Sequence, residues 1–434
     1  MDRFGRAFTR FLRIEAMAGG ALLLCAVVAL AASNSPWSVP YLAFWETEVG
    51  FRFADLHYTR SLKHWINDAL MTLFFFVVAL ELKREMVLGE LRSPRTAALS
   101  LSAALGGMAV PAALYLLLQR GEPALHGWGT VMATDTAFVI GCLAVLGRRI
   151  PQSLRLFLLS LAIFDDIGAI AVVAIGYGDA LNGRALGLVL AGLLMTTVLA
   201  KAGIRSITIY FLLGIAIWLS MDASGIHATL TGVILGLMTP ARSWVSDLRL
   251  RAILGRVVAY PPGEHWSGDT PHRKHLLRAE TATREALSPV ERLELGLHPW
   301  IAFLVMPIFA LANAGMTIDS AQIAVPVVST VLISFVVGKP LGVVAFSYLA
   351  VRLRLAARPR ELGWPLLAAG SVLTGIGFTM ALFIAELAFD ASLVDSAKLG
   401  ILGASIISAA LGLLALTLLT RRQQRRAASR RATR

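Results

Sequence analysis

The feature that most constrains this chain is a succession of apolar runs, most of them long enough to cross a bilayer. A spanning helix needs about 20 apolar residues. On that basis twelve runs qualify, at about 14–34, 66–86, 97–118, 128–147, 153–177, 184–201, 205–221, 226–241, 298–316, 324–350, 365–389 and 396–420. The seventh and eighth are short enough to be tilted, partly buried or broken. Only 15% of the 434 residues are charged and 57% are hydrophobic, where a soluble domain carries about 25% charge. Lipid cannot satisfy backbone N–H and C=O groups, so such runs must be helical. The expected fold is an all-α polytopic membrane protein, one domain over 1–434 with a single long loop at about 242–297. The first run has a basic start like a signal peptide, but it is long and many spans follow, so it reads as the first helix.

The net charge of +13 would suit a nucleic-acid partner if it were clustered on a soluble surface. Instead it alternates between loops. Arg3, Arg6, Arg10 and Arg13 precede the first run, and Lys83, Arg84, Arg92 and Arg95 follow the second. Arg148, Arg149 and Arg155 follow the fourth, Lys201 and Arg205 the sixth, and Arg352, Arg354, Arg358 and Arg360 the tenth. Between them, Met221–Gly225 and Thr317–Ser320 contain no Lys or Arg. This is the positive-inside pattern, with an even helix count and both termini in the cytoplasm. It argues against nucleic acid. The basic tail from Arg421 to Arg434 reads as an anchor against anionic lipid. Cys25 and Cys142 both lie in apolar runs, which argues against a disulfide framework or a thiolate metal site.

Two short stretches break the helical pattern. The fourth run carries Ala133-Thr134-Asp135-Thr136-Ala137 and the eleventh Leu373-Thr374-Gly375-Ile376-Gly377-Phe378-Thr379. Each is the middle member of a triplet of runs, three to five and ten to twelve, and the two triplets start on opposite sides. Paired interruptions in inverted halves point to a transporter's binding site. Between the first two runs, Glu48–Phe53 alternates polar or small residues with apolar ones, the period of a half-exposed strand. Ala54-Asp55 can turn the chain and Leu56–Tyr58 can return, so a β-hairpin is expected on the outer side. A lone hairpin is marginal in water and gains by pairing its edge with another chain, which predicts a homodimer.

A charge at the bilayer centre costs roughly 2.5–3.5 kcal/mol on insertion scales, so ionisable residues inside the runs are informative. Those singled out are Asp68, Asp135, Asp165, Asp166, Lys339 and Glu386. Asp165 and Asp166 are adjacent, and neighbours on a helix point about 100° apart, so they can serve different partners. Asp135 sits in an interrupted helix, where freed carbonyls can join carboxylates around a hard cation such as sodium; it can also compensate facing helix ends. Lys339 reads as the only cation deep in a span, its partner Asp165 or Asp166, either as a structural bridge or in proton exchange. Asp68 reads as a polar cap, and Glu386 as a side chain reaching for the interface. A carboxylate withdrawn from water holds its proton more tightly, so protons and sodium compete for the same oxygens. A site that holds one or the other while access alternates is an exchanger. It needs no ATP or redox cofactor, and no phosphate-binding Gly-Lys-Ser/Thr loop is present. An intramembrane aspartyl protease would also place two aspartates in helices, but Gly375-Ile376-Gly377 is followed by Phe378 rather than aspartate.

At these residues the chain resembles the NhaA-type sodium/proton antiporters, a family that itself exemplifies the inverted-repeat pattern used above. The matching stretches are Trp65–Met71, Leu80–Glu85, Ala133–Phe138, Phe164–Ala169, Ser224–Leu230, Leu297–Trp300, Val337–Gly342 and Thr374–Met380. They span nearly the whole chain in order. The resemblance implies twelve helices, with the broken fourth and eleventh crossing. It implies an ion site with Asp166 as central carboxylate and Asp135 and Thr134 beside it, holding sodium at Asp166 and Asp135. Asp165 would pair with Lys339 and share in proton handling. Transport would be electrogenic, moving more protons inward than sodium or lithium outward across a bacterial inner membrane, with no cofactor. Glu81, Arg84, Glu85, Glu294 and His298 would lie at the cytoplasmic mouth, where the family senses pH. Dimerisation through the hairpin is a further family trait. The chain departs from compact members in its longer loop before Glu294, and in Leu295 where some carry histidine.

Overall fold

The computed structural model describes residues 2–53, 56–87, 89, 94–119, 124–178, 180–204, 206–242, 245–258, 271–318 and 323–432. Long helices dominate it. In chain order they are α1 (Asp2–Ser33), α2 (Ser38–Trp45), α3 (Leu62–Val87), α4 (Pro94–Leu118), α5 (Ala124–Met132), α6 (Thr136–Leu146), α7 (Gln152–Gly176), α8 (Gly183–Lys201) and α9 (Ile207–Asp222). There follow α10 (Leu230–Met238), α11 (Asp247–Val258), α12 (Pro271–Ala286), α13 (Pro289–Asn313), α14 (Val325–Arg352), α15 (Trp364–Gly375), α16 (Phe378–Ala388) and α17 (Ala391–Ala432). Each of the twelve apolar runs coincides with a helix or a pair of helices. Among the described residues, seven helices are long and apolar enough to cross a membrane, or up to ten spans if each bent pair counts as one. The two bent pairs anticipated from sequence are α5–α6, bent by 42°, and α15–α16, bent by 47°. A third, unanticipated, turns α1 into α2 through 120°. The seventh and eighth runs form the short helices α9 and α10.

The hairpin is present. β1 (Glu48–Phe53) pairs antiparallel with β2 (Leu56–Ser61), with Val49 opposite Arg60 and Phe51 opposite Tyr58. Its turn, Ala54-Asp55, lies outside the described residues. The Trp65 indole N–H donates to the Val49 carbonyl at 2.8 Å, tying the hairpin to the start of α3.

Within the long loop the charge-dense stretch Arg278–Arg292 is divided between two helices: α12 ends at Ala286 and α13 begins at Pro289. Ser288 caps α13 reciprocally with Glu291 and is followed by proline, a strong start signal that lengthens the ninth span toward its N-terminus. Within the long loop, Pro261-Pro262-Gly263 and His265 lie outside the described residues.

Three spans contain a π turn, at Ile66–Leu70, Ile301–Val305 and Ser334–Gly338. The latter two are each followed within two residues by proline, Pro307 and Pro340. Proline removes an N–H from the helical ladder and clashes one turn back, and one wider turn relieves both at once. In α14 this places Lys339 at the end of the wide turn, facing the core. α14 crosses α4 closely at two glycines. A Cβ on Gly106 or Gly342 would collide with the other's carbonyl oxygen, so the approach that brings α14 to the centre of the molecule requires them.

Candidate functional site

The two helix breaks meet. Asp135 has extended backbone (φ −86°, ψ 101°) at the N-terminus of α6, and Ile376 has nearly the same (φ −82°, ψ 99°) before α16. The Asp135 N–H donates to the Ile376 carbonyl at 2.7 Å. The Asp135 carboxylate accepts from the Phe138 N–H at 3.1 Å, and from the Thr379 N–H at 3.0 Å and hydroxyl at 2.5 Å. It therefore closes the N-termini of both half-helices. Two such termini carry roughly half a positive charge each, which offsets its own. Gly375 is required at the break because a Cβ there would lie 2.8 Å from the Phe335 carbonyl oxygen.

α7 brings Asp165 and Asp166 to this junction, 0% and 4% exposed. Asp165 Oδ2 lies 3.2 Å from Lys339 Nζ and accepts from the Thr134 hydroxyl at 2.5 Å. Lys339, also fully buried, donates to the Met132 carbonyl freed by the end of α5 and lies 5.8 Å from the Phe335 ring centroid. Thr134 Oγ1 is also 3.1 Å from the Thr374 carbonyl. A hydroxyl has one proton, so Thr134 can donate to only one of these two acceptors at a time. The asymmetry between the neighbouring acids follows from the 100° step between them. Asp165 turns toward α14, whereas Asp166 turns toward α6, where its Oδ2 accepts from the Thr136 hydroxyl at 3.3 Å.

The charges can be balanced one by one. Asp135 has the helix ends and Asp165 has Lys339. Asp166 has a single hydroxyl and no cation among the described residues, and its Oδ1 is buried without a hydrogen-bond partner among them. A buried, uncompensated carboxylate is unfavourable, so a proton or a small cation must supply the missing charge. The surrounding donor set is oxygen, suited to a hard ion.

The other predicted residues gather at one end of α3 and α13. Arg84 donates to Glu294, and to Glu85 at 2.9 Å. Glu81 adds its field at Arg84, and His298 adds its own at Glu294. Glu81 also acts electrostatically on Asp166, which links this end to the central acid. At the opposite end the sequence reading missed an element. Lys339 is not the sole deep cation: Lys398, 2% exposed, lies 2.6 Å from Glu386, whose other oxygen is 2.8 Å from Lys63. Glu386 thus joins α3, α16 and α17 rather than reaching for the interface. A lysine inside the twelfth apolar run was the available signal. Asp68, read as a cap, lies 2.8 Å from His64. Thr136, Thr374 and Thr379 also enter the site unforeseen.

Residues 9–416 match the family model described as Na+/H+ antiporter 1. The chain is 65% identical over 419 residues to the Na(+)/H(+) antiporter NhaA of Rhizobium meliloti (strain 1021), covering 96% of both chains. It is 51% identical to Na(+)/H(+) antiporter NhaA 2 of Vibrio vulnificus (strain CMCP6), over 98% of this chain and 95% of that one. It is 45% identical to Na(+)/H(+) antiporter NhaA 2 of Pseudomonas putida, over 94% and 92%. With a matched model over nearly the whole length and relatives this similar, the chain belongs to the NhaA family of Na+/H+ antiporters.

Proposed function

We propose that this chain exports sodium, and lithium in its place, in exchange for a larger number of protons, by alternating access at Asp166. The observation that carries the reading is the charge balance: Asp166 is the one acid at the junction with neither a helix-end cap nor an ion-pair contact among the described residues. In the sodium-bound state Asp166 would supply the charged ligand, with Asp135, Thr134 and carbonyls at the two breaks completing an oxygen shell. In the proton-loaded state Asp166 is neutral, and Asp165 passes its share of protons through its contacts with Lys339 and Thr134. Moving the breaks of α5–α6 and α15–α16 past α7 would turn the site from one side to the other. The remainder of the reading is a twelve-span bundle of inverted repeats, its two broken helices crossing. It forms a single transporter domain in the bacterial inner membrane, with both termini and the 242–297 loop in the cytoplasm and the basic tail on anionic lipid.

The Arg84–Glu294 contact, flanked by Glu81, Glu85 and His298, supports a pH-responsive cytoplasmic mouth, because it ties α13 to the helix that carries Glu81 toward Asp166. Proton flux in everted vesicles, scanned over pH, tests both ideas together. Sodium and lithium should each collapse a preset pH gradient while potassium leaves it intact, and an imposed membrane potential should change the rate. Glu294→Gln should move the pH of half-maximal activity by about one unit, with the maximal rate within about twofold. Equal responses to sodium and potassium would overturn the exchange reading, and an unmoved profile would place the sensor elsewhere.

The hairpin presents open strand edges, which are favourable sites for pairing with a second chain. A homodimer formed there predicts that deleting Gly50–Leu56 converts the detergent-solubilised protein from dimer to monomer by light scattering, with sodium-driven flux retained. A deletion protein that remains dimeric would exclude this contact.

A further inference from the structure

At the hairpin end of the molecule, ligating side chains converge that the exchange reading does not use. His64 and Asp68 stand one turn apart on α3, with His64 Nε2 2.8 Å from Asp68 Oδ2. Asp222, the last residue of α9, meets them: one donor atom from each of the three lies within 4.8 Å of the others. The convergence is held by packing. Trp65 stacks on Trp218, ring centroids 5.9 Å apart at 19°, which fastens α3 to α9 one turn from Asp222. The Trp218 indole N–H donates to Thr72 Oγ1 at 2.9 Å, and that hydroxyl donates to the Asp68 carbonyl at 2.5 Å.

Two carboxylates meet here with little access to solvent: the Asp68 and Asp222 side chains are 12% and 16% exposed. The Arg60 side chain, 45% exposed, lies 3.5 Å from Asp222 Oδ2 and would yield that oxygen to an ion. His64 Nε2 is buried and faces Asp68 Oδ2 at 2.8 Å. One imidazole nitrogen and two carboxylate oxygens make a borderline donor set, preferred by transition-metal ions over sodium. Zinc bonds to such atoms are about 2.0–2.2 Å long. Three such ligands around one ion lie about 3.3–3.7 Å apart, so the widest separation must close by up to about 1.5 Å.

We infer that His64, Asp68 and Asp222 form a binding site for a divalent transition-metal ion that bridges α3 and α9, with water completing the coordination. Untagged, metal-free protein in detergent should bind Zn2+ saturably by calorimetry and melt at a higher temperature with Zn2+ present. His64→Ala and Asp222→Asn should each abolish the saturable binding and the thermal shift, whereas His275→Ala, in the long loop, should keep both. Absence of saturable binding in the parent, or its persistence in both site variants, would overturn the inference. Should the site variants unfold, Co2+ quenching of tryptophan emission decides. The quench should shrink in Trp218→Phe, since the stacked pair adjoins the site, and an equal quench in Trp218→Phe would overturn the assignment.

Discussion

Asp166→Asn is expected to fold, reach the membrane in parent-like amounts and lose sodium-driven proton release. Asparagine keeps the shape and the Thr136 contact but can neither bind and release the proton nor offer a negative ligand. A loss of about 100-fold or more is expected, equivalent to roughly 2.7 kcal/mol of lost stabilisation. Thermal stability provides the discriminating second measurement. The acid is buried and uncompensated in the described structure, so its neutral isostere should melt no lower than the parent. A structural role for Asp166 would instead lower the melting temperature and leave exchange proportional to the folded fraction. Near-normal exchange by well-folded Asp166→Asn would sink the proposal that this acid carries the ion.

Lys339→Ala is expected to give the largest loss of stability. Lys339 and Asp165 are both wholly buried, with 3.2 Å between ammonium and carboxylate. Breaking a buried pair by removing one partner costs about 3–5 kcal/mol in soluble proteins, and water entering the vacated space should reduce that figure here. The melting temperature should fall by several degrees, and the pH profile of exchange should shift because Asp165 changes its environment. A second substitution isolates the cause. Lys339→Ala with Asp165→Asn should recover part of the loss, since the stranded charge is gone, and the non-additivity measures the coupling. If the single variant melts and titrates like the parent, the pair contributes nothing. If the double variant is the sum of the two singles, the loss comes from packing of the lysine stem rather than from charge.

How much of this was readable beforehand depended on how costly each feature is. The carboxylates Asp165 and Asp166 stood out because charge inside an apolar run is expensive enough to need a reason. The breaks at Ala133–Asp135 and Ile376–Gly377 were visible because threonine-aspartate-threonine and glycine-x-glycine are poor helix interiors. The strand alternation in Glu48–Phe53 marked the hairpin. Of the threonines, Thr134 was named through the resemblance, but Thr136, Thr374 and Thr379 were not legible. A hydroxyl in an apolar helix usually bonds its own backbone one turn back, as Thr196 and Thr197 do, so nothing in the chain distinguishes Thr379, which caps Asp135. Lys398 was overlooked because a lysine near a helix end ordinarily reaches water.

Sequence alone dictated the class of fold, since apolar length and the exclusion of unpaired backbone from lipid leave helices as the only solution for these runs. It also named the family, through motifs dispersed over the chain. The residues by themselves left Asp165 and Asp166 both open as partner of Lys339, and only the family resemblance pointed to Asp165; neither said that Asp135 would close two helix ends at once, or that Glu386 would lie between Lys63 and Lys398. Those pairings join residues tens to hundreds of positions apart. They depend on helix rotation and depth, which are set by the π turn before Lys339 and the Gly106–Gly342 crossing. Periodicity can give the face of a helix, but the neighbour it meets is chosen by packing.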